Sequence, residues 1–147
     1  MAVMETTRID NRIGVKASAE RIWDVLSDLE GWHRWNPYET QLSGRLGFGA
    51  AVNFQEAFPG LPSRQASASI SEWEPCGQLL LSERRGFLFG TVRYFEIEPL
   101  EKNASVLTNG ILFTGLRGEM HFDKVRKILR PVVLDINERL KAVIEQG

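Results

Sequence analysis

The chain has 147 residues, of which 43% are apolar and 25% charged, with a formal net charge of −1. That length suits one domain spanning residues 1–147, burying about two-thirds of its unfolded surface, and is short for two; the near-neutral balance offers no field for nucleic acid. Cys76 is the only cysteine, so no internal disulfide is expected; Met1–Glu5 lacks the basic and apolar regions of a signal peptide, no apolar run reaches a membrane span, and a cytoplasmic setting is expected.

In chain order, Thr6 to Lys16 alternates, with Ile9, Ile13 and Val15 on one side and Arg8, Asp10 and Arg12 on the other, the pattern of a half-exposed strand. Ser18 is placed to cap a helix in which Ile22, Val25, Leu26 and Leu29 share a face, with Glu20 in the first turn and Gly31 as its stop. Trp32 to Trp35 fits one further turn before Pro37. Six strands are expected next: Glu39 to Arg45, Ala51 to Phe58, Gln65 to Glu74, Gln78 to Arg84, Thr91 to Glu98 and Ser105 to Phe113, with a loop at Pro59 to Pro62. From Glu119 to Gln146 a long helix carries Phe122, Val125, Ile128, Leu129, Val132, Val133, Ile136, Leu140, Val143 and Ile144 on one side. Lys124, Lys127, Glu138, Lys141 and Glu145 lie on the other, as does Pro131, which is expected to bend the helix.

Strands joined by short turns make an antiparallel meander, and one long terminal helix covers one face of it. The expected fold class is α+β: a helix-grip arrangement in which a curved antiparallel sheet of about seven strands wraps a long C-terminal helix, with two short helices after the first strand. Such a sheet leaves space beneath the helix unless large side chains fill it.

Six segments carry a family resemblance. The run Val15-Lys16-Ala17-Ser18-Ala19-Glu20-Arg21-Ile22-Trp23, the step Trp35-Asn36-Pro37, Glu72-Trp73-Glu74-Pro75, Tyr94-Phe95-Glu96-Ile97-Glu98-Pro99, Phe113-Thr114-Gly115 and Asn137-Glu138-Arg139-Leu140-Lys141 with Glu145 together resemble the START-like, polyketide cyclase/dehydrase superfamily that includes the birch-pollen-allergen fold. The resemblance implies a ligand cavity under the C-terminal helix, in a family whose members include lipid carriers, hormone receptors, cyclases and chaperone activators. Many relatives resemble a pattern with His at the Asn109 position and Glu at the Ile111 position; this chain has neither, which removes a possible acid/base pair.

Strand parity sharpens the cavity. Arg93 shares a face with Phe95 and Ile97, and Asn109 with Leu107, Ile111 and Phe113. An inward Arg93 needs a carboxylate, ordered water or a ligand group, and ligand or water is the expectation; a one-residue bulge would instead turn it to solvent. Aromatic residues supply core and wall, and Phe87 and Phe89, held between Gly86 and Gly90, are expected to fold over the cavity mouth, or else to form a hairpin tip that packs on a neighbouring chain. The residues expected at a ligand site are therefore Trp35, Tyr38, Phe54, Phe87, Phe89, Arg93, Phe95, Asn109, Ile111, Phe113 and Phe122. His33 and His121 stand at no ligand spacing, so neither a metal nor a cofactor is expected. The glycines from Gly44 to Gly49 lack the Lys-Ser/Thr of a phosphate loop, and the basic first half of the long helix reads first as a solvated face and second as a surface for anionic headgroups. The functions that fit are binding or transport of an apolar small molecule such as a lipid, isoprenoid or polyketide, a cyclase or dehydratase, or an interaction module with a filled core; a homodimer is compatible with each.

Overall fold

A computed structural model describes residues 7–146, so the expected strand start at Thr6 and the N-terminal Met1–Glu5 lie outside the described residues. The elements are β1 (Arg8–Val15), α1 (Ala19–Ser27), a 3-10 helix (Leu29–Arg34), β2 (Glu39–Gly44), β3 (Ala51–Glu56), β4 (Arg64–Glu74), β5 (Gln78–Gly86), β6 (Phe89–Glu101), β7 (Ala104–Thr114) and α2 (Leu116–Gln146). All seven strands form one antiparallel sheet in the order β1-β7-β6-β5-β4-β3-β2. The two short helices carry the chain from one edge strand to the other, and the meander then returns until β7 pairs with β1.

Local chemistry sets the first turn of α1, where the Ser18 side chain accepts a hydrogen bond from the Arg21 N–H at 3.1 Å. Gly31 does not end this helix as expected. The α-helix stops at Asp28, and Gly31 lies inside the 3-10 segment. A Cβ there would meet Asp28 Oδ2 at 2.4 Å and Arg34 Nη2 at 2.6 Å, so glycine is what lets the Asp28–Arg34 ion pair close over the turn. Trp32 and Trp35 then pack on Phe95 with ring centroids 5.4 and 5.8 Å away, and the Trp32 indole donates to the Leu26 carbonyl at 2.8 Å.

Register shifts interrupt the sheet between Thr40 and Ser43, Ile70 and Glu72, Arg84 and Gly86, and Pro99 and Glu101. Such bulges bend strands and sharpen their twist, which gives the sheet its curve. None falls at Arg93: β6 and β7 pair without a break from Gly90↔Thr114 to Pro99↔Ser105, with Arg93 opposite Ile111. Parity therefore holds, and Arg93 points inward at 6% exposure.

Helix α2 begins three residues before the expected Glu119 and runs for 31 residues, about 46 Å at ~1.5 Å per residue. It buries Phe122, Val125, Leu129, Val132, Val133, Ile136, Leu140 and Ile144, leaving Pro131 on the exposed side. Its last turns are fastened to the β1–α1 corner. Glu145 accepts from the Lys16 N–H at 2.8 Å, and Lys141 donates to the Gly14 carbonyl at 2.7 Å. Its first turn is fastened instead to the β5–β6 hairpin, where the Leu88 carbonyl accepts from the N–H groups of Arg117 and Gly118. Among the described residues, no helix is long and apolar enough to cross a membrane.

Candidate functional site

The inward face of β6 changes character along its length. Ile97 and Phe95 sit in the apolar core, Arg93 follows, and Thr91 borders open space. Neighbouring strands repeat the sequence: Leu79 is core in β5 while Leu81, Glu83 and Arg85 line the space, and Leu107 is core in β7 while Ile111 and Phe113 line it. The result is a cavity of about 230 Å³ under the first half of α2. Phe54, Phe58, Leu61, Pro62, Ala68 and Leu129 complete its apolar wall. Glu39, Glu56, Arg64 and His121 complete its polar part.

Arg93 and Glu39 form the floor. The Arg93 Nε donates to both Glu39 carboxylate oxygens at 3.0 Å, and Nη1 donates to the Asn109 side-chain oxygen and, at 2.9 Å, to the Gly110 carbonyl. Its guanidinium carbon stands 4.6 Å over the Phe95 ring. Glu39 is itself held by Asn36, whose Nδ2 donates to Oε1 at 2.9 Å while its Oδ1 accepts from the N–H groups of Tyr38 and Glu39. Asn109 is engaged at both ends of its amide, because its Nδ2 also donates to the Val133 carbonyl of α2 at 3.1 Å. Arg93 is thus paired with a carboxylate and not left to ligand or water as expected. Its Nη2, however, is buried with no hydrogen-bond partner among the described residues.

The mouth is charged. Arg64 donates from Nε to Glu56 at 2.9 Å and from Nη1 and Nη2 to Glu83 at 3.0 and 2.5 Å. Burial opposes the charge on Arg64, but the bonds to Glu83 and Glu56 outweigh it and raise its pKa. Burial likewise opposes the charge on Glu83, and Arg64 outweighs it and lowers the carboxylate's pKa. Among the described residues Arg85 has no carboxylate bond of its own. It lies 5.0 Å from the Phe89 ring centroid, with its pKa lowered by burial and then by the charge of Arg64. His121 reaches the cavity from α2, its ring 5.0 Å from Phe89 and 5.8 Å from Phe113. Burial, followed by Arg85, Lys124 and Arg64, lowers its pKa below the usual imidazole value. That shift favours the neutral ring, which is able to accept a proton.

Of the residues expected at a ligand site, Phe54, Arg93, Ile111 and Phe113 line this cavity. Trp35 and Phe95 lie below the floor in the core, and Asn109 is buried beside Arg93 without reaching the space. Phe122 packs behind Phe113 at 5.9 Å. Tyr38 turns its hydroxyl to Asp135 at 2.5 Å, its ring 6.3 Å from Phe58. Phe89 flanks the mouth through His121, but Phe87 is not part of the cavity lining and its ring is 72% exposed. Parity with Leu81 and Arg93 was a signal for Glu83, Arg85 and Thr91. Parity with Phe54 was likewise a signal for Glu56, whereas the floor carboxylate Glu39 and the mouth cation Arg64 had none.

A family model described as polyketide cyclase/dehydrase and lipid transport matches residues 6–145. Solved structures are similar in fold. A START superfamily protein from Mycobacterium smegmatis superposes with a TM-score of 0.74 at 20% identity, covering 95% of this chain and 97% of its own. The Zhui aromatase/cyclase from a Streptomyces species gives 0.72 at 12% identity, covering 95% and 93%. Norcoclaurine synthase from Thalictrum flavum, in complex with dopamine and hydroxybenzaldehyde, gives 0.68 at 14% identity, covering 100% and 93%. No curated protein sequence matches the chain.

Proposed function

The chain belongs to the polyketide cyclase/dehydrase and lipid transport family, and from that premise we propose that it binds a small, mostly apolar molecule beneath α2, with one oxygen of the ligand on Arg93 Nη2. The observation that carries this reading is Arg93 Nη2, a buried NH2 group with no hydrogen-bond partner among the described residues, on a residue that lines the cavity. A buried donor left without a partner costs about 1–3 kcal/mol, and an acceptor delivered by a ligand recovers it. The apolar wall supplies affinity at roughly 25 cal/mol per Å² buried, and Arg93 supplies orientation. At about 230 Å³ the space suits a compact ring system, or the ring end of a larger polyketide or isoprenoid whose remainder leaves through the mouth. An interaction module with a filled core fits this interior less well.

Blocking the cavity tests the reading. Ala68 lines it, and Ala68→Phe directs a ring into the space. Thermal shift and calorimetry against a panel of hydroxy- and keto-substituted aromatics, isoprenoids and fatty acids should show one site in the parent chain and none in A68F. Equal uptake by both proteins would sink the proposal.

A second reading, a cyclase or dehydratase, is favoured by one observation: His121 lines the same cavity as Arg93. There Arg93 would polarise a carbonyl oxygen and the neutral imidazole would take a proton from the neighbouring carbon. His121→Phe should then abolish turnover while leaving binding intact; loss of both together would reject His121 as the base.

A further inference from the structure

The β5–β6 hairpin and the start of α2 together expose an apolar tip that the cavity does not use. Phe87 is 72% exposed, Leu116 62%, Met120 59% and Leu88 47%. The tip is one piece: the Leu88 carbonyl accepts from the Arg117 and Gly118 N–H groups, and a Cβ on Gly115 would lie 2.2 Å from that carbonyl oxygen. Leu88 also holds a left-handed backbone with φ of 56°, a conformation unfavourable for a branched residue. Two costs, exposed apolar side chains and a strained turn, thus meet where the backbone is firmly fixed.

Charge names the occupant. From Leu116 to Arg130 the helix carries five basic residues, Arg117, Lys124, Arg126, Lys127 and Arg130, against Glu119 and Asp123. Beyond Pro131 the balance reverses, with Asp135, Glu138 and Glu145 against Arg139 and Lys141. Along α2, positive charge is therefore concentrated at the end that carries the apolar tip. Arg84 adds another exposed cation on the hairpin. We propose that this tip docks on an anionic lipid surface, Phe87, Leu88, Leu116 and Met120 entering the interface while Arg84, Arg117, Lys124 and Lys127 meet headgroups. Docking goes beyond the ligand reading and does not depend on it. Its consequence is that the cavity mouth, marked by Phe89 and His121 beside the tip, opens towards the bilayer.

Co-sedimentation of the full chain with vesicles tests this, using phosphatidylcholine alone and mixed with phosphatidylglycerol. Mixed vesicles should bind the protein, and added salt should weaken binding because the headgroup contacts are screened. Phe87→Ser with Leu116→Ser should reduce binding at least about tenfold through lost apolar insertion. Lys124→Glu with Lys127→Glu should do the same for mixed vesicles only. Neither pair touches the cavity, so an unchanged melting temperature confirms that both variants fold. Absence of binding to mixed vesicles at low salt overturns the proposal, as does binding that the serine variant retains. Self-association in sedimentation velocity that Phe87→Ser abolishes, without vesicle binding, assigns the tip to a second copy of the chain and overturns it equally.

Discussion

The two ends of the sheet's inward face are built from the same alternating strands yet do opposite things. At the closed end, Trp32, Trp35, Phe95, Leu79 and Leu107 are packed to at most 1% exposure, and the last turns of α2 are tied to the β1–α1 corner. At the open end, the same strands present Glu83, Arg85, Thr91 and Ala68, and the helix spans a cavity. Arg93 stands at the boundary with its ion pair turned to Glu39 and its Nη2 left without a partner among the described residues. The difference teaches that inward parity alone does not make a core. Side-chain volume and charge at successive inward positions decide where packing stops and a binding space begins.

Matched truncations break this comparison most strongly. Phe95→Ala at the closed end should cost about 3–5 kcal/mol in urea-unfolding free energy. Phe54→Ala at the open end should cost about 2 kcal/mol, because a wall facing empty space already lacks partner atoms on one side. Equal losses would mean that the cavity is filled in solution. At the boundary, Glu39→Ala leaves the buried Arg93 without its carboxylate, and a loss of about 3–5 kcal/mol is expected. A loss below 1 kcal/mol would show that water reaches the floor.

The smallest expected effect concerns pH at the mouth. Burial, then Arg85, Lys124 and Arg64, depress the folded-state pKa of His121, so the unfolded chain takes up this proton first as pH falls below about 6.5. Stability from this group is complete above that value. It declines with acid until the folded imidazole is itself protonated. Urea midpoints at pH 8 and pH 5.5 should therefore differ more for the parent chain than for His121→Phe; identical differences would place His121 in open solvent.

Much of this architecture was legible in the sequence, and the reasons are local. Alternation such as Ile9, Ile13 and Val15 marked the strands, and the stripe from Phe122 to Ile144 marked α2. Failures arose where a distant contact decides. The first turn of α2 turns Leu116 and Met120 outward, off the buried stripe, and its N–H groups are received by the Leu88 carbonyl. Gly31 resembles a helix stop but serves an ion pair across a 3-10 turn. Parity placed Arg93 inward, yet its carboxylate lies 54 positions away on β2, beyond any spacing rule. Phe87 was expected to act as a lid because glycines flank it. The left-handed Leu88 next to it fixes the turn with that ring outward.

Native mass spectrometry of freshly purified parent, A68F and Arg93→Lys chains, each then offered the same aromatic, isoprenoid and fatty-acid panel, tests the central claim most directly. The Lys substitution keeps a cation beside Glu39 while removing Nη2. One apolar molecule per parent chain, none on A68F and weakened retention of oxygen-bearing ligands on R93K is the predicted result. No adduct on the parent from any of these sources, or an adduct that A68F retains, would contradict it.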